Sequence, residues 1–379
     1  MLYFDNNATT RASDDVVTAM LPFLGAKFGN PSSVHALGDE AADAVRAARA
    51  SVARLLAARP DEIVFTSGGT EANNLALHSA IAAKPQRRMI VTCTTEHSSV
   101  LEKCENAEKN GLKLMRIGVD RRGRFDADRV AAQLTDDCAV VSLMLANNET
   151  GVVNDLAPIV RRCRELGIVM HADLVQAAGK TALDVHALGL DLATISAHKI
   201  HGPKGVGALF VRQGFDATPL VRGGSQERRV RPGTENVAAI VGFGRAAENA
   251  RAFVHDARAM ARVAELRDTF ERGILELVPG ARVNGDTQSR IVNTTNVQFE
   301  GLEAEALLML FSGAGLYASA GSACHAQARR PSHVLVAMGL TESEAAASVR
   351  FSLSRETIAE EVAEASAVVK SATADLHGT

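Results

Sequence analysis

What this chain lacks narrows its class before any motif is read. Its 379 residues contain no C-x-x-C pair, and its cysteines, Cys93, Cys104, Cys138, Cys163 and Cys324, form an odd set of five. That argues against a disulfide framework and a zinc knuckle. Positive charge is not in excess: 41 Lys and Arg stand against 44 Asp and Glu, a formal net charge of -3. A dedicated nucleic-acid binder, which must neutralise phosphates, is therefore not expected. No apolar run spans a bilayer; Cys138 to Ala146, among the longest, falls well short. The N-terminus sets no basic segment before an apolar one. The expectation is a cytoplasmic protein with reduced thiols that binds neither nucleic acid nor membrane. Internal repeats and low-complexity tails are also missing.

What is present is core-forming material. A hydrophobic fraction of 46% over this length supports two or three domains. Between about residues 60 and 212, β-branched runs (EIVFT, RMIVTC, KLMRIGV, AVVSLML, GIVMHAD, LATISA, GVGALFV) alternate with helical patterns such as ANNLALHSAIAAK. That alternation predicts a largely parallel sheet covered by helices. Asn236 to Val278 has helical spacing and leads out of the sheet domain. The remainder mixes strands (RIVNTTNVQFE, SVRFSLS) with helices opening on capping boxes at Thr341/Glu344 and Thr357/Glu360, which suits a smaller α+β domain. The predicted division is a large domain over residues 14–250 and a small one from residues 1–13 and 251–379. Cys93 and Cys138 fall in strand patterns, Cys104 and Cys163 in helical ones, where buried, inert thiols are expected. Cys324, in ASAGSACH, has only small neighbours and reads as part of a loop.

Three features suggest chemistry. IVFTSGGTEANNLAL reads as strand, glycine turn and helix, aiming the N–H groups of Ser67, Gly68, Gly69 and Thr70 at an anion, although it fits neither nucleotide-loop pattern. Asp173 follows an apolar strand, at the carboxyl edge where open sheets hold ligands, or serves as a helix cap. Lys199 ends another strand in SAHKIHGPKG, with Lys204 as a rival. Anion cup, acid and amine, in that order, meet the three requirements of pyridoxal phosphate. The pairs His171/Asp173 and His198/His201 lack the further ligands a fixed metal needs.

The chain resembles the cysteine desulfurases of the class V aminotransferase family, nitrogenase-type and iron–sulfur-cluster-type. The resemblance is carried by YFDNNATT, FGNPSSVH, FTSGGTEANN, TEHSSV, NNETGVV, HADLVQAAGK, SAHKIHGPKG, GGSQERRVRPGTEN, GSAC and VRFSLSR. It implies an α/β, fold type I pyridoxal-phosphate transferase. Residue by residue, it implies Lys199 as the cofactor lysine; Gly69, Thr70, Ser196 and His198 at the phosphate; and Thr234 reaching a neighbouring subunit's phosphate in a homodimer. Asp173 is implied at the pyridine nitrogen, Gln176 and Asn148 at the ring oxygen, and His97 stacked on the ring as an acid–base group. Arg350, helped by Asn30 and Asn148, is implied as the clamp on the substrate carboxylate.

The implied reaction converts L-cysteine to L-alanine. Cys324, as thiolate, takes the substrate's sulfur as a persulfide and passes it to an acceptor such as a cluster scaffold, for iron–sulfur assembly or another sulfur pathway. A free thiol has a pKa of about 8.5; His325 next to Cys324 is a candidate to help it ionise. His325, Arg329 and Arg330 depart from the family pattern. A selenocysteine lyase, or another pyridoxal-phosphate β-lyase or aminotransferase, is the alternative.

Overall fold

The first strand, β1 (Leu2–Tyr3), is followed by seven that coincide with the β-branched runs: β2 (Ile63–Thr66), β3 (Met89–Cys93), β4 (Lys113–Ile117), β5 (Cys138–Met144), β6 (Val169–Asp173), β7 (Leu192–Ser196) and β8 (Gly207–Val211). The computed structural model describes residues 1–321 and 331–378. These seven strands form one sheet in the order β2-β8-β7-β6-β5-β3-β4. Pairing is parallel from β4 across to β7, and β8 runs antiparallel to both its neighbours. Strands β5 to β7 are buried along their whole length, as expected when helices cover both faces of a sheet.

On one face, Val141, Ala172 and Ile195 pack with Val45 and Val52 of the helix Ala36–Leu55 and Phe243 of the helix Val237–His255. On the other, Val140, Val169 and Leu192 meet Leu75 and Leu77 of the helix Gly69–Ala83. The helical stretch expected from Asn236 onward breaks at Asp256. Its carboxylate accepts from the Arg258 and Ala259 N–H groups and starts the next helix, Ala257–Leu277.

Four further strands follow: β9 (Ala281–Val283), β10 (Thr294–Phe299), β11 (Leu316–Tyr317) and β12 (Ser348–Ser352). A three-stranded antiparallel sheet has the order β12-β10-β9, and β1 pairs with β11 in parallel. Phe4, Phe270, Phe299, Phe311 and Phe351 fill a separate core over this sheet. The Phe270 ring lies 5.1 Å from Phe4 and 5.0 Å from Phe351. The Thr341/Glu344 capping box forms. The one expected at Thr357/Glu360 does not: the helix starts a residue later, Glu361 accepts from the Ile358 N–H, and Thr357 Oγ1 instead accepts from the Ser354 N–H. Cys93, Cys104, Cys138 and Cys163 are buried in strands and helices, and burial raises each thiol's pKa.

After Phe4 enters the second core, residues 5–10 cross to the large sheet, tied at one end to Ser352 and at the other to His198.

Candidate active site

Asp173 is the last residue of β6 and Ser196 the last of β7, so both reach the carboxyl edge of the sheet. A single 3-10 turn, Ala197–Lys199, follows β7. The chain then folds back so closely that a Cβ on Gly202 would lie 2.8 Å from the Ala197 carbonyl oxygen, a fit only glycine allows. Between these strand ends and the start of the helix Gly69–Ala83 lies a cavity of about 210 Å³. Gly69, Thr70, His97, Asn148, Asp173, Gln176, Ser196, His198, Lys199 and Arg350 all line it.

At one end of it, the first N–H groups of the helix Gly69–Ala83 have no partner within that helix. The Ser196 hydroxyl is buried there without a hydrogen-bond partner among the described residues. Leaving a buried hydroxyl unsatisfied costs about 1–3 kcal/mol, and a bound anion would supply the missing partner. Burial, then the charges of Lys199, Lys204 and Lys180, push the His198 pKa down to about 4. At neutral pH its imidazole is therefore uncharged, with Nδ1 3.1 Å from Thr9 Oγ1.

Deeper in the sheet edge, the Asp173 carboxylate accepts from Asn73 Nδ2 at 2.8 Å and from the Val175 N–H at 2.9 Å. Asn73 also donates to Ser99 Oγ, 2.9 Å away, and Ser99 Oγ lies 2.8 Å from His97 Nδ1. The Ser99 N–H donates to the same Nδ1 at 3.1 Å, which caps the helix Ser98–Lys109 and leaves the Nε2 edge of a neutral ring to carry the hydrogen. His97 and Asp173 are thus joined by two intervening side chains.

Arg350, in the middle of β12, is almost wholly buried. Its guanidinium donates to Asp5 Oδ1 at 2.6 Å and to the Asn148 carbonyl at 3.0 Å. Lys199 Nζ donates to the carbonyl oxygens of Asn7 at 2.5 Å and Ala8 at 2.7 Å. Lys204, the rival, is exposed and does not line the cavity.

Two predicted residues lie elsewhere. Asn30 is exposed and its Oδ1 accepts from the Ser32 N–H, the turn role open to any asparagine before Pro31. Thr234 is exposed and outside the cavity of its own chain. Cys324, His325, Arg329 and Arg330 lie outside the described residues. His171 is a core residue rather than a ligand: its ring nitrogens bond Ser142 Oγ at 2.8 Å and Thr194 Oγ1 at 3.1 Å.

Sequence reasoning did not single out Asp5, Asn7, Asn73, Ser99 or Lys180. Asn7 binds Lys199 through its backbone, Lys180 through its side chain, and Thr294 of β10 through its amide nitrogen. The doubled asparagine in YFDNNATT and the lysine closing HADLVQAAGK were the available signals. A larger hollow of about 380 Å³, lined by Lys84, Arg164 and Arg212 among others, opens at the opposite edge of the sheet and holds none of the predicted site residues.

The family model for class-V aminotransferases matches residues 2–364. The chain belongs to the class-V aminotransferase family. Within it, this chain is 46% identical over 362 residues to cysteine desulfurase NifS of Azotobacter vinelandii, covering 95% of this chain and 90% of that one. It is 48% identical over 368 residues to a cysteine desulfurase of Bradyrhizobium diazoefficiens, covering 96% and 92%. Among solved structures, a NifS-like protein superposes with a TM-score of 0.91 at 35% identity over the full length of both chains. SspA in complex with cysteine gives a TM-score of 0.83 at 32% identity, covering 94% of this chain and 100% of that one. The class-V fold, a mostly parallel sheet between helices, agrees with the architecture expected from the strand and helix pattern. No helix among the described residues is long and apolar enough to cross a membrane.

Proposed function

We propose that this class-V protein is a pyridoxal-phosphate-dependent cysteine desulfurase that converts L-cysteine to L-alanine and carries the released sulfur on Cys324. The observation that carries this reading is the single cavity in which an anion cup, Asp173, His97, Lys199 and Arg350 converge. The unsatisfied Ser196 hydroxyl, the helix start at Gly69 and Thr70, and neutral His198 suit the cofactor phosphate. Asp173 suits the ring nitrogen, with Gln176 and Asn148 near the ring oxygen.

Pyridoxal phosphate, when bound, supplies an electron sink for the charge that develops on the substrate's α-carbon. Asp173 keeps a proton on the ring nitrogen, and Asn73 fixes the direction of its carboxylate. Arg350 grips the substrate carboxylate, its fork already oriented by Asp5 and Asn148. Lys199 would hold the cofactor and, as a free amine, would take the α-proton. His97, which lines the same cavity with its Nδ1 engaged by Ser99, would offer its Nε2 edge for proton transfer. The Cys324 thiolate attacks the substrate sulfur, forming the S–S bond of a persulfide while the C–S bond breaks; that bond's electron pair stays on the β-carbon, which takes up a proton to become the methyl group of alanine as the α-carbon regains its own from Lys199. The outer sulfur then passes to an acceptor protein, for which a cluster scaffold is the leading class. We further take the active unit to be a homodimer, with Thr234 completing the partner's phosphate site, and the cytoplasm to be its location. Residues 14–250 are assigned to the large domain, with 1–13 and 251–379 in the small one.

The test compares wild type with Cys324→Ser. The variant keeps its bound cofactor but loses alanine and sulfide production from L-cysteine, and mass spectrometry finds the wild-type persulfide on Cys324. Equal rates, or a persulfide on Cys93, Cys104, Cys138 or Cys163, would overturn this reading.

A further inference from the structure

Lys180 is a second lysine beside the cavity, with no part in the reaction above. It closes the turn after β6 and is buried, with Nζ 3.0 Å from Asn7 Oδ1 and in contact with Gln176 Oε1. Both partners are neutral amide oxygens, and Lys180 makes no ion pair among the described residues. The charged and titratable groups that face it are Lys199 and His198 from the turn after β7, Arg350 from β12, and His201 and Arg355 around a hollow of about 30 Å³ that the two lysines share. None of these is an acid. Asp5 is engaged by Arg350, and Asp173 by Asn73 and the Val175 N–H.

An amine placed here has lost its water shell and gained no anion in exchange. Both conditions favour the neutral amine over the ammonium ion. Arg350 cannot relieve the crowding of positive charge, because a guanidinium keeps its proton. Of the two lysines, Lys180 is the more deeply buried, so it is the one that gives its proton up. Burial, then Lys199 and Arg350, hold its pKa well below the usual lysine range.

The neutral amine still has two hydrogens, one for Asn7 Oδ1 and one for Gln176 Oε1. With Oε1 so held, the Gln176 amide must present its nitrogen the other way, and that nitrogen donates to the Asn7 carbonyl at 3.0 Å. An amide nitrogen carries a second hydrogen, and Gln176 lines the cavity. The end of Gln176 left for a ligand is therefore a donor, as a negatively charged ring oxygen requires.

We propose that Lys180 is an uncharged positioning residue: a neutral amine that fixes Asn7 and turns the Gln176 amide so that its N–H end serves the cofactor's ring oxygen. This rests on Gln176 standing beside the cofactor as proposed above, with Lys199 as the cofactor lysine.

Two variants test it: Lys180→Gln keeps an uncharged donor in place, and Lys180→Met keeps the length without one. The first measurement follows urea unfolding of the holoenzyme from about pH 7.5 to about pH 9.5, below the ordinary lysine pKa of about 10.4. A lysine that is neutral in the fold takes up a proton on unfolding throughout that range. Wild type therefore gains stability relative to Lys180→Gln as pH rises, by about tenfold in the unfolding equilibrium per pH unit. A ratio that stays constant means that Lys180 is charged in the fold, and overturns the proposal. The second measurement titrates pyridoxal phosphate into cofactor-free protein. Lys180→Met binds about tenfold more weakly than wild type, the loss of about one hydrogen bond's worth of orientation, and Lys180→Gln recovers most of the difference. Equal affinity of Lys180→Met and wild type removes the orienting role. If Lys180→Met fails to fold, the pH comparison with Lys180→Gln still decides. A constant ratio with the cofactor mapped to Lys199 by borohydride reduction strikes this inference alone, whereas a pyridoxyl group on Lys180 strikes it together with the assignment of Lys199.

Discussion

Two buried side chains show how single residues set the site's stability. The Arg350 side chain is 2% exposed and that of its partner Asp5 15%. Removing one member of so buried a pair strands the other charge, at a cost of about 3–5 kcal/mol. Asp5→Ala is expected near the lower end, because Asn148 still accepts from the fork; urea denaturation measures it, and an unchanged midpoint would contradict the pairing. His171 makes a pH prediction. Burial lowers its pKa from 6.5 to about 3, so the folded protein holds it neutral while the unfolded chain protonates it at higher pH. The stability this contributes is intact above pH 6.5 and drains away as pH falls toward 3. His171→Asn, which does not titrate, should lose stability less steeply over that window in acid-unfolding experiments, while the same-sense contributions of His198 and His201 remain in both proteins. Asp173 and Lys199 stood out in the sequence because Asp173 ends one apolar strand and Lys199 closes the short turn directly after another. Asn7 and Lys180 were not, since their meaning lies in a hydrogen bond spanning 173 positions.

At the scale of elements, the β-branched runs named every strand of the large sheet; those buried on both faces leave an almost uninterrupted apolar signature, while the edge strand β4 is partly exposed. The reversed direction of β8 left no such trace: its run, GALFV, is as apolar as those of the strands that pair in parallel. The loop before Thr234 carries another hidden feature. Glu227, Arg228 and Arg229 have φ of 44°, 56° and 67°, three successive non-glycine residues in the left-handed region. Each costs about 1 kcal/mol or more. What holds them is Glu227, buried, which accepts from both terminal nitrogens of Arg49 and from the Phe65 N–H. Arg229→Gly is accordingly expected to raise the melting temperature, while Glu227→Ala, which strands Arg49 and frees the loop, should lower stability by about 3–5 kcal/mol. Thermal unfolding of both variants checks the pair, and a destabilised Arg229→Gly would argue against stored strain.

For the whole molecule, the outward face between the first helices matters most. Leu21, Leu24, Phe28 and Val34 are exposed apolar residues along one short stretch, Val34 completely so. The helix Val237–His255, which follows Thr234 closely, packs on the helices flanking that stretch. A patch of this kind fits a self-association face. If the proposed homodimer uses this face, Phe28→Asp with Val34→Asp should give a monomer by light scattering and weaken cofactor retention, because the proposed contribution of Thr234 to a partner's site would be lost. A monomer that keeps its cofactor as tightly as wild type would refute the shared site. The strip from Asp5 to Thr10 has a consequence in time as well as in space. Asn6 and Asn7 leave the ribosome long before the Ser352 groups they bind, which lie some 345 positions later. The chain must be made through β12 before Asn7 can close on Lys199 and Lys180, so the nascent protein cannot complete the cavity around Lys199 early, and chains cut short before β12 should fail to assemble it.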